Sequence, residues 1–310
     1  MRGVRNTGDG VSIVDLDEPA GPGTLLTVMS ASICGTDTGL VEMGSTGYTL
    51  GHEFAGIGED GRAYAVEPNY WCGACPECVA GETQRCVSEH VNLGVFHDGG
   101  LCERVRVPEQ YLVALPAGLD VRDACLVEPA AVAYHGLRAA KVQPGERVVV
   151  VGGGSIGLLA VAAGRHLGVG MDLEARYPHQ RAAGEQFGAG APSGQYDVVI
   201  EAAGSESGLA RCAELARPGG RVVLLGVYYG LVPVPGVATL VKELSWAGAI
   251  CYGREHGVRD VDAAAAMLGA SPDIAAALIT HRFGLDEVAG AFRAASERRS
   301  GAIKVAIHPN

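Results

Sequence analysis

The chain has 310 residues, of which 48% are hydrophobic and 19% charged, and its formal net charge is −11. This composition excludes intrinsic disorder, and the 46 glycines follow no strict period, which excludes collagen. The length predicts about two domains. No run rich in Lys and Arg occurs, which argues against nucleic acid or a membrane surface as the partner. No apolar stretch suits a membrane span or a secretory signal, so we expect a cytoplasmic location, where nine cysteines favour metal or catalytic roles over disulfides.

The pattern of predicted elements changes near residue 118. Before it, short β-like runs alternate with Gly-rich turns, which predicts a mostly β unit. Residues 119–140 are Ala-rich and predict a helix. From residue 146 strands and helices alternate, which predicts a doubly wound parallel sheet. The predicted elements are a strand at 148–151, a helix at 155–168, a strand at 169–175, a helix at 179–188, strands at 196–202, 221–226 and near 245–250, and helices at 206–216 and 260–269, followed by a further helix and a final strand, AIKVAI.

Three glycines, Gly152, Gly154 and Gly157, form the pattern G-x-G-x-x-G between an apolar strand and a predicted helix. In that context the pattern predicts a dinucleotide site, because the glycines allow a tight turn, close approach of a pyrophosphate and close packing of helix on sheet. The helix begins with Ser155 and Ile156, and its N-terminus presents the positive end of a dipole to the anion. The alternative is a Gly-rich turn without a ligand.

The end of the following strand decides between NAD and NADP. Counting back 12 residues from the end of the next predicted helix places Ala175 at the strand tip, followed by Arg176. A small residue and an arginine leave room and a charge partner for a 2′-phosphate, which favours NADP. The competing interpretation places Asp172 or Glu174 at the tip, where a carboxylate would bind the ribose of NAD.

Four cysteines lie within 15 residues, in the pattern C-x2-C-x2-C-x7-C. Four soft thiolate ligands in one loop suit a closed tetrahedral zinc site. An iron–sulfur cluster is an alternative, although ferredoxin-type runs close with a fourth Cys three residues on, followed by Pro. A redox-active dithiol is the other alternative. The four cysteines are Cys72, Cys75, Cys78 and Cys86.

A second, dispersed set supplies sulfur, nitrogen and oxygen ligands: Cys34 after a predicted strand, His52 in a Gly-His-Glu turn and Glu128 before a proline. Each alone has an ordinary structural interpretation. Together they offer the three protein ligands of an open catalytic zinc site.

These residues and their order resemble the zinc-containing medium-chain dehydrogenase/reductase family, the group of alcohol, sorbitol, threonine and archaeal glucose dehydrogenases. The resemblance implies a GroES-like β catalytic domain over 1–129 and 251–310, a Rossmann domain over 130–250, and a homodimer or homotetramer. The matching segments are Cys34-Gly-Thr-Asp37, Gly51-His-Glu53, the four-Cys lobe, Glu128-Pro129, the GGGSIG turn and Gly301-Ala-Ile-Lys304.

The resemblance also implies a role for each matching residue. It makes Cys34, His52 and Glu128 the ligands of a catalytic zinc, and the Glu in third place is similar to the polyol and sugar branch. Glu53 resembles a carboxylate that approaches the zinc, Asp37 the residue that orients the ligand His, Thr36 the hydroxyl that relays the substrate proton, and Lys304 a contact to the pyrophosphate.

One departure is Gly39, which stands where the family has a relay His.

The nicotinamide is expected beside Ala203-Gly204 and Gly226-Val227, at the carboxyl ends of later strands. We therefore expect two zinc ions and NADP, with NAD as the alternative, and hydride transfer to or from a secondary alcohol, polyol or sugar hydroxyl. The rival hypotheses are a zinc-independent NADPH reductase and a non-catalytic NADPH-binding protein.

Overall fold

The computed structural model describes residues 1–88, 91–297 and 299–310. It divides into two compact units. The first unit comprises Met1–Glu128 and Gly253–Asn310, and the second comprises Pro129–Tyr252. Among the described residues, no helix combines the length and the apolar character that crossing a bilayer requires.

The elements of the N-terminal part of the first unit are short, as the Gly-rich turns predict. They are β1 (Arg2–Asn6), β2 (Val11–Asp15), β3 (Thr24–Ile33), α1 (Gly35–Glu42), β4 (Glu53–Gly58), β5 (Ala63–Val66), α2 (Pro76–Val79), β6 (Arg104–Val107) and β7 (Leu112–Ala114), with 3₁₀ turns at Thr83–Arg85, Glu109–Tyr111 and Ala124–Leu126.

Strands and helices then alternate, beginning with a helix that crosses the boundary between the units. These elements are α3 (Val127–Ala140), β8 (Val148–Val151), α4 (Ser155–His166), β9 (Met171–Glu174), α5 (Pro178–Gln186), β10 (Tyr196–Glu201), α6 (Glu206–Leu215), β11 (Ala216–Leu224), α7 (Gly236–Val241) and β12 (Ser245–Gly248).

The chain returns to the first unit for its last elements, which include a helix at Asp273–Leu278 and a strand at Ile279–Gly284 that the sequence patterns did not predict. They are β13 (Arg254–Glu255), β14 (Val258–Arg259), α8 (Asp260–Ala270), α9 (Asp273–Leu278), β15 (Ile279–Gly284), a 3₁₀ turn at Leu285–Glu287, α10 (Val288–Ser296) and β16 (Lys304–His308).

The main sheet of the first unit has the order β15-β16-β3-β4-β5-β7, and β6 joins it by pairing with β3. Antiparallel pairing places Ser32 of β3 opposite Glu53 of β4, and places Val305 of β16 opposite Ile33 of β3. Neighbouring strands therefore carry Ser32, Glu53 and Lys304 to the same end of the sheet. The unit packs around buried side chains such as Leu26, Val28 and Phe54.

The second unit contains a parallel sheet in the order β12-β11-β10-β8-β9. Every residue of β8, Val148–Val151, is buried, as expected for a strand covered on both faces. The usual doubly wound sheet has a further strand beyond the one equivalent to β9. Here residues 187–195 run directly from α5 to β10 and contribute a bridge between Gly190 and Asp172 in its place. The sheet is therefore shortened at the β9 edge.

The helix predicted over 119–140 begins later than the composition suggested. Residues 119 and 120 are irregular, residues 121–123 form a turn, and the continuous helix begins at Val127 after the 3₁₀ turn. The Asp120 carboxylate accepts a hydrogen bond from the Arg122 backbone N–H at 2.9 Å, and its carbonyl accepts one from the Asp123 N–H. Such local side-chain hydrogen bonds offer the backbone an alternative to the helix.

The glycine turn between β8 and α4 has steric requirements that differ at each glycine. Gly152 has φ +117°, which L side chains rarely adopt. A Cβ on Gly157 would lie 1.8 Å from the Gly152 carbonyl oxygen, whereas a Cβ on Gly154 would meet nothing within 4 Å. Gly157 therefore serves packing, and Gly154 leaves open space beside the start of α4.

We expect Gly157→Ala to destabilise the second unit by about 1–3 kcal/mol, because the added methyl overlaps a backbone carbonyl. Gly154→Ala is the matched control and should unfold at the wild-type temperature. If the turn receives a pyrophosphate, that control should nevertheless bind dinucleotide more weakly. Thermal unfolding and nucleotide binding of both variants check this, and equal unfolding temperatures for the two variants would contradict it.

Candidate active site

The four-Cys lobe brings its thiols together as the spacing predicts for a metal site. All four sulfur atoms lie within 4.8 Å of one another, with 4.0 Å between the Sγ atoms of Cys72 and Cys78 and between those of Cys75 and Cys86. Tetrahedral zinc with Zn–S bonds of about 2.3 Å needs sulfurs separated by about 3.8 Å. The spacing and the chemistry of this donor set both fit zinc.

Local hydrogen bonds also favour the thiolate form that a metal requires. The Ser88 hydroxyl and the backbone N–H groups of Ala74 and Cys75 interact with Cys72, and they lower its pKa to about 5. The Cys78 thiol is more enclosed, and burial raises its pKa to about 12. A bound cation would reverse that preference, because a coordinating thiol is deprotonated.

The dispersed set converges at one end of the main sheet of the first unit. Donor atoms of Cys34, His52 and Glu53 all lie within 4.8 Å of one another. Cys34 is the N-cap residue of α1, and Glu53 begins β4. Glu128 is buried and its charge interacts with His52 and Glu53, but it is not one of the atoms in that close group. The structure thus brings Glu53 into the close group with the predicted pair, whereas the expected third ligand, Glu128, lies outside that group.

Asp37 organises this group through its own hydrogen bonds. Its Oδ2 accepts from the Cys34 backbone N–H at 2.8 Å, and its Oδ1 accepts from the Gly51 N–H at 3.2 Å. The same Oδ1 lies 3.6 Å from His52 Nδ1, which is buried and has no hydrogen-bond partner within the described ranges. Asp37 thus fixes the backbone on both sides of the site and faces the imidazole. Thr36 lies beside it in the first turn of α1 and is half-buried.

The charge distribution of the site favours a cation. Burial opposes protonation of His52, but Asp37 and Cys34 outweigh it and raise the pKa of His52 well above its ordinary value. Burial raises the pKa of Glu128 to about 7, although the neighbouring His52 acts in the opposite direction. The site thus offers the Cys34 thiol, the His52 imidazole with its unpartnered Nδ1, and nearby carboxylates. This donor set fits zinc.

Lys304 corrects an expectation from the sequence. Its side chain is 2% exposed, and its Nζ donates to both oxygens of Glu53 at 2.8 and 2.7 Å and to the Ile33 carbonyl at 3.4 Å. An ammonium enclosed in this ion pair does not present itself to a pyrophosphate. Glu53 also accepts a hydrogen bond from the Ser32 hydroxyl. Ser32 was missed, although a polar residue in the apolar strand TLLTVMSASI could have signalled it.

In the second unit, the residues expected to bind a dinucleotide cluster at the carboxyl ends of the strands. Gly154, Ser155 and Ile156 form the start of α4. The glycine turn packs against Ala175, the residue that follows β9: a Cβ added to Gly153 would lie 2.5 Å from the Ala175 Cβ. The turns at 203–204 and 226–227 follow β10 and β11. The open glycine cradle and the helix N-terminus fit a pyrophosphate.

The two competing carboxylates near Ala175 are both engaged by other side chains. The Tyr196 hydroxyl donates to Asp172 at 2.6 Å, and Arg211 forms a bidentate pair with Glu174 at 2.9 and 3.0 Å. Arg176 is exposed, and its guanidinium has no hydrogen-bond or ion-pair partner in the described part of the chain. Arg181 donates to the carbonyls of residues 175 and 176 at 2.9 and 3.0 Å and so orders this loop.

Comparisons with known proteins give consistent matches. Residues 22–117 match the alcohol dehydrogenase GroES-like domain model, and residues 189–268 match the zinc-binding dehydrogenase model. The chain is 32% identical over 268 residues to "Probable D-xylulose reductase A" of Arthroderma otae, covering 74% of this chain and 75% of that protein. It is 30% identical over 291 residues to L-galactonate-5-dehydrogenase of Escherichia coli K12, covering 84% of each.

A solved structure is similar over nearly the whole chain. It is described as a zinc-binding dehydrogenase from Sinorhizobium meliloti 1021 bound to NADP, with 30% identity, 99% of each chain covered and a TM-score of 0.85. The galactitol-1-phosphate dehydrogenase of Escherichia coli, at 24% identity with all of both chains covered and a TM-score of 0.88, shares the fold.

Proposed function

Since the chain belongs to the zinc-containing medium-chain dehydrogenase/reductase family, we propose that it is a zinc-dependent oxidoreductase that transfers a hydride between a polyol, sugar or secondary alcohol and NADP(H). The family-model matches and the similar solved structure confirm the predicted family and fold class, α/β with a GroES-like domain and a Rossmann domain. The observation that carries the proposal is the convergence of Cys34, His52 and Glu53 within 4.8 Å.

The residues that would hold the catalytic zinc are Cys34, His52 and Glu128, with Glu53 as the adjacent carboxylate. When bound, zinc supplies a Lewis acid that polarises the substrate oxygen. Asp37 faces the His52 ring and anchors the Cys34 backbone, which keeps both donors in place. Lys304 balances the charge of Glu53.

Thr36 would accept the proton of the substrate hydroxyl and pass it outward. Gly39 offers no side chain for the next step, so water would complete the exit. The nicotinamide cofactor would supply the acceptor or the donor of the hydride. The turns at Ala203-Gly204 and Gly226-Val227 would hold its nicotinamide end.

The substrate class follows from the donor set and the relatives. Glu128 in the third ligand position resembles the polyol and sugar branch, and the relatives above are named "Probable D-xylulose reductase A" and L-galactonate-5-dehydrogenase. We propose polyols and sugar-derived alcohols as the substrates to examine first.

Assembly and location complete the proposal. Exposed apolar residues of α7, Val237, Leu240 and Val241, lie in the same unit as β12, which pairs with β11 alone among the described strands. This supports a homodimer or homotetramer. All nine cysteines lie in the described part of the chain and none forms a disulfide, which supports the cytoplasm as the location.

Replacing His52 tests the proposed function. His52→Ala should lower alcohol oxidation by about 10²-fold or more, because the Lewis acid contributes several kcal/mol. NADPH binding should survive, since the cofactor residues lie in the second unit. His166→Ala, an exposed histidine at the end of α4, is the control. The assay uses a panel of polyols, sugars and secondary alcohols with NADP⁺ and NAD⁺.

Oxidation by His52→Ala within a few-fold of wild type would indicate a zinc-independent reductase. A wild type that binds NADPH but turns over no substrate of the panel would indicate a non-catalytic binding protein.

Cofactor choice is proposed to depend on Arg176. A charge-assisted hydrogen bond contributes about 1.5–3 kcal/mol, so Arg176→Ala should lower kcat/KM for NADP⁺ by about 10- to 100-fold and leave NAD⁺ nearly unchanged. Arg122→Ala, an exposed arginine of the first unit, is the control. Ala175→Asp should shift the cofactor preference further towards NAD⁺, because the new carboxylate would repel the 2′-phosphate of NADP⁺. A wild type that prefers NAD⁺ would show that Asp172 or Glu174 holds the ribose.

A further inference from the structure

Glu201 is a buried carboxylate that the proposed chemistry does not use. It ends β10, follows the apolar residues Val198–Ile200, and is 0% exposed. Burying an ionised carboxylate is costly unless hydrogen bonds compensate for its lost hydration. A residue of this kind at the carboxyl end of a parallel strand therefore needs an explanation.

The hydrogen bonds of Glu201 reach two separate turns. Its Oε1 accepts from the backbone N–H groups of Ala203 at 2.8 Å and Gly204 at 2.9 Å. Its backbone carbonyl accepts from the N–H groups of Leu225 at 2.8 Å and Gly226 at 3.1 Å. One residue thus joins the turn after β10 to the turn after β11.

Two glycines, Gly226 and Gly208, leave the space that this carboxylate occupies. A Cβ on Gly226 would lie 2.3 Å from Glu201 Oε2 and 2.6 Å from Gly204 Cα, and a Cβ on Gly208 would lie 2.7 Å from Oε1. Gly204 also has φ +59°. A side chain at Gly226 or Gly208 would therefore displace the carboxylate, and one at Gly226 would also separate the two turns.

The second oxygen and a neighbouring phenol complete the surroundings of the carboxylate. Glu201 Oε2 and the Tyr228 hydroxyl are both buried, and neither forms a well-aligned hydrogen bond within the part of the chain that the structure describes. The two groups nevertheless interact, because burial and then Glu201 raise the pKa of Tyr228. Glu201 thus influences the residue next to Val227 as well as the turn at 203–204.

We propose that Glu201 is a positioning residue for the nicotinamide end of the cofactor, an inference that rests on the proposed function. Ligands of open parallel sheets bind at the carboxyl ends of the strands, where Ala203-Gly204 and Gly226-Val227 lie. The Glu201 carboxylate holds the turn at 203–204 by two hydrogen bonds and occupies the space beside Gly226, so this side chain fixes the backbone that would contact the nicotinamide. The adenosine end, at Ala175 and Arg176, does not depend on it.

Binding of whole and truncated nucleotides tests this inference. The probes are NADPH, followed by its fluorescence, and adenosine 2′,5′-bisphosphate, which lacks the nicotinamide, followed by calorimetry. Glu201→Ala removes the acceptor of two hydrogen bonds and should weaken NADPH binding about tenfold, while binding of the truncated probe stays within about twofold. Glu201→Gln keeps an acceptor oxygen and should restore most of the affinity. Glu206→Gln, exposed in the first turn of α6, is the control.

Glu201→Asp is the substitute if Glu201→Ala does not fold. It keeps the charge but withdraws it from the two N–H groups, so it should show the same selective loss of NADPH affinity. Equal loss of both probes, or loss of neither, in a wild-type background that binds NADPH would overturn the inference alone. A wild type that binds neither NADPH nor NADH would overturn the proposed function, and the inference would fall with it.

Discussion

The first unit is organised around buried negative charge that needs a cation. Asp37, Glu53 and Glu128 are all buried, and the Cys34 thiol lies among them. Charges removed from water are costly unless they are paired. Lys304 neutralises Glu53 from β16, two strands away in the sheet, which leaves the remaining donors to be satisfied by His52 or by a metal ion. A divalent cation held by Cys34 and His52 would balance this charge, and the strand pairing that places Ser32, Glu53 and Lys304 together also pairs one of the buried carboxylates.

The second unit meets a different constraint, the close approach of backbone segments at the strand ends. Gly157 must lack a Cβ to let α4 reach β8, and Gly226 must lack one to let two turns flank Glu201. These contacts leave the helix N-terminus and the turns free to contact a ligand. The shortened edge of the sheet at β9 does not affect these turns, because the glycine turn and the turns at 203–204 and 226–227 follow β8, β10 and β11.

Local patterns predicted the parts of the molecule whose partners are close in sequence. The four-Cys spacing and the glycine turn are of this kind, because backbone geometry over a few residues fixes what meets what. The pairing of Lys304 with Glu53 spans 251 residues and depends on strand order, which no spacing reports. The resemblance therefore suggested a pyrophosphate for Lys304, and the structure corrects it. Likewise, the sequence left open whether Asp172, Glu174 or Arg176 is available to bind the cofactor ribose or its 2′-phosphate. The side chains that engage the two carboxylates, Tyr196 and Arg211, lie in other elements.

The zinc content of the purified protein tests most directly whether the first unit is built around metal ions. Elemental analysis by mass spectrometry should find about two zinc ions per chain in the wild type and about one in each of Cys34→Ser and Cys75→Ser, because each substitution removes a ligand from one site only. Cys75→Ser should also unfold at a lower temperature, since a structural metal contributes folding free energy. A wild-type protein that retains no zinc after metal-free purification and zinc reloading, or that carries iron and sulfide in the four-Cys lobe, would contradict the account.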